Sequence, residues 1–180
     1  MASPFNRRAV LFPRQVHSNR WPAVKHAPPG KMIHGADTGF LVAAEIAEHA
    51  EHTAARATLA RLLAKGDRVA LAPQVLAEFI HVVTDPRRFA QPLDMTDAQA
   101  LAERWWTARD VDRLFPDDGA TRQFLAWLKQ FQLGRKRLPD TLLAATCHQA
   151  GIRSMLTTNP DDFRVFGIFT CLTPTTAPTR

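Results

Sequence analysis

No stretch of this 180-residue chain reaches the ~18 consecutive apolar residues of a membrane-spanning helix. Cysteine is scarce: Cys147 and Cys171 are the only two, and both sit in apolar segments without metal-ligand spacing. A disulfide scaffold and a thiolate metal centre are therefore excluded. The pair reads as reduced core thiols of a cytoplasmic protein, with a single bridge between them as the minor alternative. Acidic residues are missing from the first 36 positions, which hold six Lys/Arg, while residues 37–180 carry 17 residues of each sign. The net charge of +6 thus belongs to the N-terminal segment and gives no ground for a nucleic-acid binder by overall charge. The triplet Asp37-Thr38-Gly39 has no second copy, and the chain is helix-rich, which excludes the proton-sharing Asp pair of an aspartic protease. There is no His-Glu-x-x-His either. His49 and His52, three apart on an expected helix, lack a third ligand and read as a solvated face.

What is present is a globular composition, 46% hydrophobic, long enough for one domain with a real core. Residues 1–31 hold five of the 13 prolines and no sustained period or secretory apolar region, so they read as a disordered basic arm. Either the arm grips nucleic acid, or translation starts at Met32, just before the first strand. Residues 32–173 form the folded domain, and 174–180 a frayed Pro/Thr-rich tail.

Within the domain, Met32–Asp37 reads as a buried strand, Gly39–Ala50 and His52–Ala64 as helices, and Lys65-Gly66 as a stop with a left-handed glycine cap. Arg68–Leu71 is a second strand. Pro73 opens a helix with an apolar stripe through Val75, Leu76, Phe79, Ile80 and Val83, ended by Asp85-Pro86. Thr96 to Gln99 spells a capping box for a helix to about Arg109. Val111–Phe115 is a short strand and Pro116–Gly119 a turn. Thr121–Phe131 is a helix with Phe124, Leu125, Leu128 and Phe131 inward, closed by Gly134. A helix from Asp140 and strands at Arg153–Thr157 and Ile168–Leu172 complete the chain. Strands alternating with helices imply an α/β fold with a mainly parallel sheet, whose ligand crevice lies beyond the carboxyl ends of the strands.

Four acidic positions stand at strand ends and in helices without a neighbouring Lys: Asp37, Glu78, Asp140 and the pair Asp161-Asp162. Singly, each has a plain explanation. Asp140 after Pro139 can cap a helix, Glu78 can face solvent, and Asn159-Pro160-Asp161-Asp162 is ordinary turn chemistry. Asp37 is the hardest to dismiss, because it ends an apolar strand. Brought to one edge, the four would repel at about 4 kcal/mol per close pair. Protonation, a basic partner or a divalent cation must offset that, and oxygen-only ligands suit Mg²⁺ or Mn²⁺.

The segments Ile33–Thr38, Ala72–Phe79, Leu138–Ala145 and Leu156–Phe163 together resemble the four acidic motifs of PIN domains, most of all the VapC-type toxins of bacterial toxin–antitoxin pairs. The resemblance spans about Met32 to Thr173, and a start at Met32 leaves a chain of the family's usual size. It implies a three-layer PIN-like domain with a central sheet of four to five mainly parallel strands flanked by helices. It implies a Mg²⁺- or Mn²⁺-dependent endoribonuclease that cuts structured RNA, tRNA or rRNA, by metal-activated water. Asp37 and Asp140 would be the direct metal ligands, and Glu78 and Asp162 would hold a second metal or orient the water. Thr38, Asn159 and Asp161 would support them. A homodimer and a VapB-like antitoxin are implied partners. RNA phosphates would meet Arg87, Arg88, Arg135, Lys136 and Arg137, clusters that also read as solvated turns. Trp105 and Trp106 are candidates for base stacking or, more in keeping with helical spacing, for the core. The competing reading is a PIN-like RNA- or antitoxin-binding module with little or no cleavage.

Overall fold

The structure, a computed structural model, describes residues 30–174. The expected arm up to residue 29 and the tail from residue 175 lie outside the described residues. Five short strands form one sheet: β1 (Ile33–Ala36), β2 (Arg68–Leu71), β3 (Val111–Arg113), β4 (Ser154–Leu156) and β5 (Thr170–Leu172). All neighbours pair in parallel, in the order β3-β2-β1-β4-β5. Parallel strands need crossovers, and helices supply them. α1 (Thr38–Glu45) and α2 (His52–Ala64) join β1 to β2, while α3 (Pro73–Val83) and α4 (Met95–Thr107) join β2 to β3. α5 (Asp118–Gln130) and α6 (Leu138–Gln149) lead to β4, and the single turn α7 (Asp161–Arg164) leads to β5.

The chain lays down β1, β2 and β3 in one direction, then returns to the other side of β1 for β4 and β5. The strand order therefore reverses between β1 and β4, and crevices form at such a switch point. Both strands are buried there, with Gly35 opposite Met155 and Ala36 opposite Leu156. Gly35 is required by packing: a Cβ would stand 2.6 Å from Cys147 Sγ and 2.8 Å from Met155 Sδ. Cys147 and Cys171 are both free, as expected. At the opposite end of the same strands, His34 Nδ1 lies 2.7 Å from Ser154 Oγ, and His34 Nε2 lies 3.5 Å from Asp67. This serine–histidine–aspartate line is sealed, with Ser154 and His34 at 1% and 2% exposure, so it ties β1 to β4 rather than meeting a substrate.

Local signals were read correctly where one residue decides. Gly66 takes the left-handed conformation that stops α2 (φ 79°), and Pro73 is in the first turn of α3. Competing signals gave errors. Asp94, not Thr96, caps α4 by accepting the Asp97 N–H at 2.7 Å. Asp117 caps α5 through the Ala120 N–H at 2.7 Å, so that helix starts before Thr121. Its end is formed by Gln132 at φ 50°, with Leu133 N–H reaching back to Leu128, and not by Gly134. α5 turns Trp127 into the core and leaves Leu125 59% exposed, the reverse of the expected inward face at that position. α1 ends at Glu45, so His49 lies in the link before α2 and not on a helix shared with His52.

Candidate functional site

Asp37 is the first residue beyond β1. Its N–H donates to Leu156 O at 3.0 Å, which continues the β1–β4 pairing one step past the strand. Its carboxylate accepts from Thr157 Oγ1 at 2.9 Å, the first residue beyond β4. Thr157 Oγ1 in turn accepts the Asn159 N–H at 3.0 Å. The switch point thus delivers one connected polar chain. Asp37 is only 8% exposed. Burial pushes its carboxyl up to about 6, against the hydrogen bonds from Thr157 and the Thr38 N–H, and the charges of Glu78 and Asp162 push the same way as burial.

Glu78 sits in the middle of α3, rather than near its N-terminus, and is oriented by Thr38, whose Oγ1 donates to Glu78 Oε2 at 2.8 Å. Asp140 lies in the first turn of α6. Burial raises its carboxyl to about 7, and the charges of Asp37, Asp162 and Glu78 add to that rise while Arg137 opposes it. Asp162 is carried by α7, which the fully buried Phe163 anchors. The Arg137 guanidinium donates to both the carboxylate and the backbone carbonyl of Asp162, and Asn159 Nδ2 donates to the other carboxylate oxygen at 2.5 Å. Arg137, expected as a phosphate contact, is thus the counter-ion of Asp162. The partner comes from the turn before α6, three residues ahead of Asp140, and Thr141 Oγ1 donating to Arg137 O at 2.6 Å holds that turn.

The four acids line one open cleft of about 530 Å³, with Thr38, Gly39, Thr158 and Asn159 beside them. Gly39 lets α1 pass close by, since a Cβ there would collide with Thr158 Oγ1. Val42, Val82, Phe89, His49 and Arg88 also line it. His49, read from sequence as a solvated face, lines the cleft, and so does Phe89, which no local signal marks. Thr157 lay within the fourth acidic motif but was not singled out.

The remaining candidates disperse. Asp161 points outward at 82% side-chain exposure and pairs with Arg164 at 3.1 Å. Arg87 is spent on Asp85 at 3.0 Å. Arg135 and Lys136 are exposed on the short turn and are not among the described residues that line the cleft. Trp105 is fully buried and donates to Glu45 at 2.9 Å, while Trp106 packs edge-on against Phe115 at 5.7 Å.

All donors in the cleft floor are oxygens, and the raised Asp37 and Asp140 show carboxylates that gain from a nearby cation. Among the described residues no three His, Cys, Asp or Glu side chains form a metal-holding group. Mg²⁺ keeps several waters and takes only one or two carboxylates. The residues present fit Mg²⁺ or Mn²⁺ held in that way.

The family model described as PIN domain matches residues 36–168. Solved structures share the fold. VapC20 of Mycobacterium tuberculosis, described as a Sarcin-Ricin loop cleaving toxin, is 23% identical with a TM-score of 0.59, over 76% of this chain and 95% of that one. VapBC-1 from nontypeable Haemophilus influenzae is 16% identical with a TM-score of 0.56, over 80% and 99%. The FitAcB structure from Neisseria gonorrhoeae is 19% identical with a TM-score of 0.54, over 79% and 98%. A sequence search of characterised proteins gives no significant match. A match that runs unbroken from the end of β1 to beyond α7, and so takes in all four acids, makes this chain a member of the PIN domain family.

Proposed function

We propose that the chain is a metal-dependent endoribonuclease of the VapC type, the toxin half of a toxin–antitoxin pair. The observation that carries this is the cleft at the switch point, which Asp37, Glu78, Asp140 and Asp162 all line, with burial holding two of them well above the usual carboxylate range. VapC20, by its description a toxin that cleaves an RNA loop, supports the activity, and VapBC-1 and FitAcB, which carry toxin–antitoxin names, support an antitoxin partner. A VapB-like antitoxin and a second copy of this chain are the partners in this reading.

Asp37 and Asp140 would hold Mg²⁺ or Mn²⁺. When bound, such an ion supplies Lewis acidity toward the phosphoryl oxygens and a water of lowered pKa. The rest falls to the chain's own groups. Thr157 fixes the Asp37 carboxylate and the Leu156 carbonyl holds the Asp37 backbone, so the group does not reorganise as charge develops. Thr38 fixes one oxygen of Glu78 and leaves the other to receive a proton from the attacking water. Asp162, clamped by Arg137 and Asn159, presents a carboxylate whose charge Arg137 largely offsets.

The test is expression of the chain, and of Asp140→Asn, under tight induction, with growth scored and new RNA ends mapped. Growth arrest with a dominant cleavage site, absent in the variant, is the expected result. The Arg137–Asp162 pair gives a second reading some footing, since a partly neutralised acid set suits an RNA- or antitoxin-binding module. Intact RNA in cells, and in vitro with Mn²⁺, would favour that module.

A further inference from the structure

We propose that Arg137 takes the place of a second divalent ion, so that the cleft holds one such ion, at Asp37 and Asp140, and not a pair. This rests on the nuclease reading and deepens its metal site: Asp162 belongs to the chain's own cation rather than to a metal.

Four carboxylates lining one cleft need positive charge, and a two-metal site supplies it as two ions ~4 Å apart. Here the acids divide. Among the described residues, Asp162 is the one acid of the four in an ion pair, and Arg137 is its partner. Both of its carboxylate oxygens are engaged, Oδ1 by the Arg137 guanidinium and Oδ2 by Asn159 Nδ2 at 2.5 Å. The same guanidinium donates to the Asp162 backbone carbonyl. The carboxylate can turn to an ion only by giving up a charge-assisted bond. Asp37, by contrast, accepts from neutral donors, the Thr157 hydroxyl at 2.9 Å and the Thr38 N–H. Glu78 likewise accepts from the Thr38 hydroxyl. The need for an outside cation therefore falls on the Asp37 and Asp140 side.

Arg137 is also set in place before any ion arrives. It closes the short turn ahead of α6, where its N–H donates to Gly134 O at 2.9 Å and its carbonyl accepts from Thr141 Oγ1 at 2.6 Å. Its Nε is buried without a partner among the described residues, so Asp162 alone orients the guanidinium. Its charge also reaches Asp140, three residues on, where it opposes the repulsion of the other acids. A cation bound to one carboxylate and acting on the next fills the electrostatic place of a second ion. A divalent ion brought to Asp162 would meet the guanidinium as a like charge, in a site partly shielded from water. Arginine stays charged at every working pH, so this half of the cleft is neutralised permanently.

The full chain is titrated with Mn²⁺ alone by calorimetry, and the bound metal is read by electron paramagnetic resonance, which separates an isolated Mn²⁺ from an exchange-coupled pair. The parent is expected to bind one ion per chain with the isolated signal, and Asp140→Asn to lose it. Arg137→Gln, which frees Asp162, is expected to bind two ions and to show the coupled signal. Arg137→Lys keeps a cation and stays at one. Arg137→Gln combined with Asp162→Asn removes both charges and is expected to return to one ion. Its affinity should stay within about tenfold of the parent, the smaller end of an outer-partner effect. Thermal melting confirms that the variants fold. A coupled pair in the parent, a single ion in folded Arg137→Gln, or loss of the ion in the double variant overturns the inference, while RNA cleavage in cells still stands for the nuclease. Should Arg137→Gln fail to fold, the parent and the double variant decide by the same criteria. No bound Mn²⁺ at all overturns the inference, and with no cleavage in cells the nuclease reading falls too.

Discussion

The Arg137 guanidinium grips Asp162 twice, at its carboxylate and at its backbone carbonyl, so the last acid of the cleft comes with a counter-ion from the chain itself. Both side chains are mostly covered, at 23% and 20% exposure. Removing one partner leaves the other charge under-compensated. Arg137→Ala is expected to destabilise the protein by about 2 kcal/mol, less than for a fully buried pair because water still reaches the site. Asp162→Asn in the same chain should recover part of that loss. A double-mutant cycle by urea denaturation gives the coupling, and additive effects would show that the pair does not matter.

Asp37 and Asp140 have values of about 6 and about 7, above the 3.8 of the free carboxyl. A raised value means that ionisation costs the folded state. The favourable contribution of these groups is full below about pH 4 and is lost as the pH rises through 6 and then 7. In metal-free protein, Asp37→Asn should therefore stabilise at neutral pH, by about 3 kcal/mol for a shift of that size, even as it abolishes cleavage. Below about pH 3 the gain should vanish, because the carboxyl is then protonated in both states. Thermal melts across this range check the sign.

A divalent ion bound by Asp37 and Asp140 would have to displace those protons. Mn²⁺ is expected to raise the melting temperature strongly near pH 8 and weakly near pH 5, since bound protons compete for the same oxygens. Calorimetric titration in buffers of different ionisation enthalpy would count the protons released. Chelation should abolish cleavage and leave the fold intact.

Gly39 lies where a Cβ would strike Thr158 Oγ1. Gly39→Ala should cost about 1–3 kcal/mol, as overpacking does, and shift the Thr158 segment beside Asn159. Cleavage should fall more than the loss of stability alone explains. Urea denaturation together with single-turnover cleavage measures both.

The sequence revealed what local chemistry encodes. Asp37 was legible because an acid closing an apolar strand has few structural uses, and Gly66 because only one residue there can turn left-handed. The α4 cap was misjudged because Asp94 and Thr96 are both competent, and Leu93, hydrogen-bonded to Val83, decides where the helix begins. Arg137 read as a phosphate contact because its partner, Asp162, lies 25 positions away and is reached only through α6 and β4. Phe89 and His49 could not be placed at the cleft for the same reason: the hydrogen bonds from the Ala90 and Gln91 N–H groups to Glu48, which bring the loop after α3 beside the link before α2, span 42 and 43 residues. Asp161 and Asp162 are equivalent in sequence. The turn of α7 separates them, sending one toward Arg164 and the other into the cleft.

The hydrogen bond from Thr157 to Asp37 joins residues 120 positions apart, across the two middle strands of the sheet. During synthesis, Asp37 and Glu78 emerge early, but β1 has no right-hand neighbour until β4 follows it out. A ribosome must therefore have made nearly the whole domain before the first acid is seated. The nascent chain passes through most of its translation without an assembled cleft, and folding waits on its longest loop closure.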